Sequence, residues 1–141
     1  MGKRTPAELI TEIVREYHRI PHDTVDIDRV FALQKRLAAY MYGLAMDLGQ
    51  ATMERDSAEY RRKSAFAAEK KRLIDEGMSA AKAEAEADVL TDDLRKEQAA
   101  TESAYQQTRL ILDAAKMVWE TMRQHVSNIK TERRQAEEAN T

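Results

Sequence analysis

Residues 105–129 read YQQTRLILDAAKMVWETMRQHVSNI, and this stretch decides the fold. Tyr105, Leu112, Trp119 and Val126 recur every seven residues, with Thr108, Ala115, Met122 and Ile129 interleaved. That is the seam of a coiled coil, sustained over four heptads. Such a seam needs a partner helix, and Val30, Leu33, Leu37, Tyr40 or Met41, Leu44, Leu48 and Ala51 form the matching stripe. A break near residues 77–91 folds the two stripes antiparallel, which sets Ala51 near Tyr105 and Val30 near Val126.

Working outward, the chain has almost no punctuation. Both prolines lie at or before position 21, and beyond His22 the only glycines are Gly43, Gly49 and Gly77. Alanine, glutamate, lysine, arginine, glutamine and leucine dominate the rest, all strong helix formers. No alternating β-branched run reads as a strand. The expected class is all-α: a long antiparallel helical hairpin, coiled-coil-like, with a short N-terminal helix and a short connecting helix.

Local chemistry places the helix ends. Thr5-Pro6-Ala7-Glu8 reads as a capping box with proline at the first helical position. The stripe Leu9, Ile13, Val14, Tyr17 and Ile20 then runs to the stop at Pro21. A second start falls at Asp23-Thr24 or Asp26, and that helix continues to Glu76, where Gly77 supplies a left-handed end. At about 50 residues it would be roughly 75 Å long. Ser79 opens a short helix over 80–89, and Thr91 with Asp92 and Asp93 opens a last one ending near Arg134. The expected organisation is an N-terminal amphipathic helix (1–22), a hairpin and oligomerisation domain (23–134) and a disordered tail (135–141).

Composition excludes several classes. The chain has 141 residues and no cysteine, so disulfide frameworks, thiol nucleophiles and cysteine-ligated zinc are out. The longest uncharged apolar-rich run, Leu37–Met46, is too short to cross a bilayer. Met1–Thr5 has no apolar run behind it, so no secretory signal is expected and the compartment is read as cytoplasmic, with no membrane partner. His18 and His22 have metal-like spacing, but Pro21 breaks the helix between them. His125, beside the Val126 seam position, reads as a helix-edge residue. No Glu-x-x-His pair, glycine-rich phosphate loop or nucleophile elbow is present. The expectation is a non-enzyme with no catalytic residues, metal or cofactor.

Two apolar sets exceed what a two-helix seam covers: Leu110, Ile111, Met117 and Val118 on the last helix, and Phe31, Ala38, Ala45 and Met46 on the second. Their burial calls for further copies of the chain, so a homo-oligomer is expected. Leu37, Leu44, Leu48, Tyr105, Leu112, Trp119 and Val126 are the expected core and oligomerisation residues. Gly43 and Gly49 each cost about 1 kcal/mol in a helix, which points to close packing or a kink there.

Net charge is −2 but unevenly spread. Glu54–Arg72 holds seven bases against four acids, and Asp75–Glu102 nine acids against three bases. In an antiparallel hairpin these segments face each other, so one reading is mutual neutralisation. The other is a cationic band formed by Arg61, Arg62, Lys63, Lys70, Lys71 and Arg72, able to follow a phosphate backbone. In that reading Arg62 with Lys70, and Lys63 with Arg72, are read as lying on one side of the helix. Tyr60 and Phe66 are placed to stack on unpaired bases or to fill the seam.

The order of these features resembles the UvsY-type recombination mediators of tailed phages. The matching residues are Ala68-Glu69-Lys70-Lys71-Arg72-Leu73, then Gly77, then Tyr105, the Leu110–Met122 apolar run and Val126-x-x-Ile129-Lys130. The likeness spans about residues 30–133 and leaves the first helix unmatched. It implies a ring-like oligomer that binds single-stranded DNA, helps displace the single-strand-binding protein and loads a RecA-type recombinase in the cytoplasm of a phage-infected or prophage-carrying bacterium. Lys70 and Arg72 carry over as DNA contacts; Lys71, Arg61, Arg62 and Lys63 join them on charge position. The alternative expectation is a structural or assembly coiled-coil protein, such as a scaffold, tail chaperone or adaptor, with only protein partners.

Overall fold

The computed structural model describes residues 2–141 and contains four helices in the order α1 (Pro6–His18), α2 (Ile27–Asp75), α3 (Ala80–Leu90) and α4 (Asp92–Ala139). No strand occurs among the described residues, and α2 and α4 pack as an antiparallel hairpin. No helix is long and apolar enough to cross a membrane.

The helix ends follow the expected chemistry. The Thr5 hydroxyl accepts from the Glu8 amide, and the Glu8 carboxylate accepts in turn from the Thr5 amide. Thr24 turns the chain back on Pro21, and Asp26 caps α2 by accepting from the Arg29 amide at 3.2 Å. At the far end Gly77 adopts φ +99°. The Met78 amide donates to the Leu73 carbonyl at 3.1 Å and the Gly77 amide to the Ile74 carbonyl at 3.0 Å. That pair of bonds is a Schellman closure, which satisfies the last carbonyls of α2 while reversing the chain. Ser79 then caps α3 through the Lys82 amide.

Two ends differ from expectation. Thr91 does not cap α4 with its side chain: its hydroxyl is buried and donates back to the Ala87 carbonyl at 2.8 Å. The Thr91 carbonyl instead accepts from the Arg95 amide, and Asp92 and Asp93 supply the negative charge of the first turn. The last helix also continues past Arg134 to Ala139, so most of the expected disordered tail is helical. Gln135, Ala136, Glu137 and Glu138 are all good helix formers and no glycine or proline interrupts them.

The chain forms two compact units, residues 1–46 with 109–141, and residues 47–108. In the first, Ile10 and Ile13 of α1 join Val30, Leu33, Leu37 and Leu44 of α2 and Leu112, Ala115, Met122, Val126 and Ile129 of α4. Leu37 and Met122 are completely enclosed. Glu16 reaches Arg36 at 2.9 Å, and the Arg133 guanidinium donates to the Val25 carbonyl at 2.6 Å. Tyr17 of α1 meets His125 of α4 edge to face, with the phenol oxygen 3.0 Å from Nδ1. In the second unit the buried apolar residues are Ala58, Leu73, Ala83 and Ala87.

The heptad reading is right in period and uneven in depth. Leu37, Leu44, Leu112 and Val126 are buried, whereas Leu48, Tyr105 and Trp119 are only half-buried. The interleaved Ala115, Met122 and Ile129 lie deeper than Trp119, and α1 packs on the Ala115 side of the seam. Tyr105 carries the Arg55 guanidinium 3.9 Å from its ring centre, a cation–π contact at the register expected for Ala51 and Tyr105. Gly43 and Gly49 serve no close approach within the chain, since a Cβ at either would meet nothing within 4 Å. The helix runs through both without a break.

Three stability measurements follow. Ile13→Ala removes a fully enclosed side chain and should cost about 2–5 kcal/mol in denaturant unfolding. Gly49→Ala should stabilise the monomer by up to about 1 kcal/mol, read as a higher midpoint in the same assay. Burial raises the Tyr17 phenol above its ordinary 10.0. The raised value makes this contribution complete below pH 10 and lost as pH rises through the folded-state value. Tyr17→Phe, which removes the hydroxyl's bond to His125, should cost about 1 kcal/mol at neutral pH, with the gap to the parent narrowing above pH ~10.

Candidate nucleic-acid interface

The six cationic candidates all lie on the last turns of α2, within the second unit. At 3.6 residues per turn they divide between two flanks. Positions 62, 66, 70 and 74 form one row, and 63, 67 and 71 the next, so Arg62, Lys63, Lys70 and Lys71 share a flank with Phe66 and Ile74. Tyr60 falls on the same flank and is largely exposed. Arg61 and Arg72 lie on the other. Lys63 and Arg72 are nine residues, or two and a half turns, apart and point in opposite directions, so that expected pairing fails, while Arg62 with Lys70 holds.

The two arginines of the far flank are engaged. Arg61 reaches Glu97 of α4 at 2.6 Å. Arg72 donates to Glu69 at 2.7 Å and Glu76 at 2.9 Å, and these hydrogen bonds, that to Glu69 foremost, raise its pKa further. The near flank is looser. Arg62 donates to the Gln98 amide oxygen, and Lys63 pairs with Glu59 at 2.7 Å. The Lys63 ammonium, first through its hydrogen bond and then through its charge, holds the Glu59 carboxyl below the usual carboxylate range. Lys70 is 3.9 Å from Glu84 of α3, at the edge of an ion pair, and Lys71 makes none among the described residues.

Phe66, Ala67, Lys70, Lys71, Ile74 and Asp75 line a shallow groove of about 420 Å³. Its floor is apolar, two ammonium groups flank it, and Asp75 is its single carboxylate. Solvent-screened pairs such as Lys63–Glu59 contribute little net stability, so a phosphate can replace the carboxylate at little cost. Neutralisation by the acidic segment thus holds for Arg61 through Glu97, in part for Arg72, which Glu76 shares with Glu69 of its own helix, and only marginally for Lys70. The helical rows separating the flanks were available in the spacing, as were the local partners of Lys63 and Arg72, whereas the acids that face Arg61 and Lys70 depend on the turn at Gly77.

In the first unit, His18, His22 and His125 line one cavity with Tyr17, Ile20, Thr121, Gln124 and Asn128. Nε2 of His125 is buried without a hydrogen-bond partner. No three histidine, aspartate or glutamate side chains group as metal ligands among the described residues. The Tyr17–His125 pairing spans 108 positions, and no local pattern announces it. No protein-family model matches the chain, and no curated protein or solved structure matches it either.

Proposed function

We propose that this chain is a non-enzymatic, self-associating helical protein that binds single-stranded DNA along the near flank of α2. The observation that carries the reading is the groove that Phe66 and Ile74 line together with Lys70 and Lys71, with Tyr60 and Lys63 continuing the same flank. Aromatic faces accept unpaired bases in any sequence, and ammonium groups along one helix flank, Lys63 two turns before Lys70 and Lys71, can track the phosphates. Association of several copies multiplies a weak contact per chain, which offsets a net charge of −2. The resemblance to UvsY-type mediators supports a role in handing such DNA to a RecA-type recombinase and displacing the single-strand-binding protein, in the cytoplasm of a phage-infected or prophage-carrying bacterium. In this reading Lys70 is retained as a contact and Arg72, gripped by Glu69 and Glu76, is a weaker one.

A second reading is an assembly protein with protein partners only. Leu110 and Met117, seven residues apart on α4 and 66% and 72% exposed, favour it by leaving an apolar stripe uncovered. Fluorescence anisotropy with a labelled single-stranded oligonucleotide separates the two, titrated at about 50 and about 200 mM salt. Salt-sensitive binding is expected. Lys70→Ala with Lys71→Ala should lower the log–log salt slope by about 1.4, two phosphates at ~0.7 each. Tyr60→Ala should weaken binding about 5- to 150-fold, the equivalent of about 1–3 kcal/mol of stacking. Arg61→Ala should change little. No binding at the lower salt, from a well-folded protein, would favour the assembly reading.

A further inference from the structure

A second groove lies in the first unit, between α2 and α4. Phe31, Ala38, Trp119 and Val126 form its apolar lining, over a volume of about 440 Å³. The charged groups that line it are all cationic: Lys35, Arg123 and Lys130. Arg123 is paired with Glu120 at 2.9 Å, while Lys35 sits 5.0 Å from the centre of the Phe31 ring and Lys130 makes no ion pair among the described residues. A part-exposed aromatic floor, rimmed by the ammonium groups of Lys35 and Lys130 that pair with no acid among the described residues, calls for an apolar knob bordered by acids.

The second unit carries such a knob. At the end of α3, Val89 is 69% and Leu90 50% exposed, two large aliphatic side chains facing solvent over half or more of their surface. Glu86 lies one turn before them and Asp93 one turn after, both exposed and neither in an ion pair among the described residues. We propose that this acidic, apolar end of α3 in one copy seats in the Phe31–Trp119 groove of a second copy. Val89 and Leu90 meet Phe31 and Trp119, and Glu86 and Asp93 meet Lys35 and Lys130. Knob and groove are different surfaces of the same chain, so the contact is head-to-tail and propagates into a ring where the rotation closes. The inference rests on the self-association in the proposed function and names the surfaces that make it; it uses none of the residues assigned to DNA.

Trp119 is the only tryptophan in the chain, so its emission reports occupancy of the groove. The test pairs that signal with light scattering on three full-length proteins: the parent, Lys35→Glu with Lys130→Glu, and Glu86→Lys with Asp93→Lys. The parent should exceed the 16.1 kDa of one chain and its Trp119 emission should shift to the red as dilution dissociates it. Each reversed variant should fall to the single-chain mass with unchanged helical circular dichroism. Mixing the two should restore both mass and emission, because each reversed surface then meets its opposite.

Retention of the parent's mass by both variants, or folded variants that stay single on mixing, would overturn the proposal. So would a single-chain parent, or dissociation without a change in Trp119 emission, and this last readout needs no variant to fold. Anisotropy with single-stranded DNA on the same samples keeps the two proposals apart. An intact oligomer that ignores DNA overturns the DNA reading alone, and DNA binding by an oligomer indifferent to both reversals overturns the interface alone.

Discussion

Two long helices can bury facing stripes only if the turn between them ends one helix and reverses the chain within a few residues. Here that constraint falls on Leu73–Met78. A residue at φ +99° is strained unless it is glycine, and Gly77 meets the requirement without a Cβ. The two bonds from Met78 and Gly77 satisfy carbonyls that would otherwise be orphaned, and Leu73, which accepts one of them, is itself a core residue. Everything that depends on register follows from this closure: which acids face Arg61 and Lys70, and how Arg55 comes to lie over Tyr105.

The architecture was legible because its signals are local. Thr5-Pro6-Ala7-Glu8, Asp26, Ser79 and Gly77 act on backbone groups within a turn of themselves, so sequence alone located them. The seven-residue period likewise needs no knowledge of the partner. Depth within the seam was not legible, since it depends on where α1 lies, and α1 packs on the Ile111, Ala115 and Val118 side of α4 while Trp119 stays at the edge. Thr91 misleads for a related reason. A threonine before two aspartates has cap chemistry, but once buried its hydroxyl finds the nearer carbonyl of Ala87.

The candidate site was half legible. Charge runs name the residues, but a run on a helix spreads around the axis, and the flanks are resolved only by counting turns. Arg61 and Arg72 then separate from Lys63, Lys70 and Lys71, a division that changes the meaning of the six residues more than any single contact does. The acids facing them come from α3 and α4 as well as from α2 itself, so the exposed cationic character belongs to the folded hairpin and not to the segment that supplies the bases.

The buried apolar side chains of the second unit have a further consequence. Ala58, Ala83 and Ala87 bury one methyl each, about 0.8 kcal/mol apiece, where a buried leucine or isoleucine would contribute about 1.5–3. With Leu73 the only large member, this unit has little apolar burial to resist local opening, and its amides should exchange with solvent well before those of the isoleucine- and leucine-filled unit. The flank that carries Phe66, Lys70 and Lys71 therefore sits on the more compliant of the two units, free to shift by small adjustments of the helices beneath it.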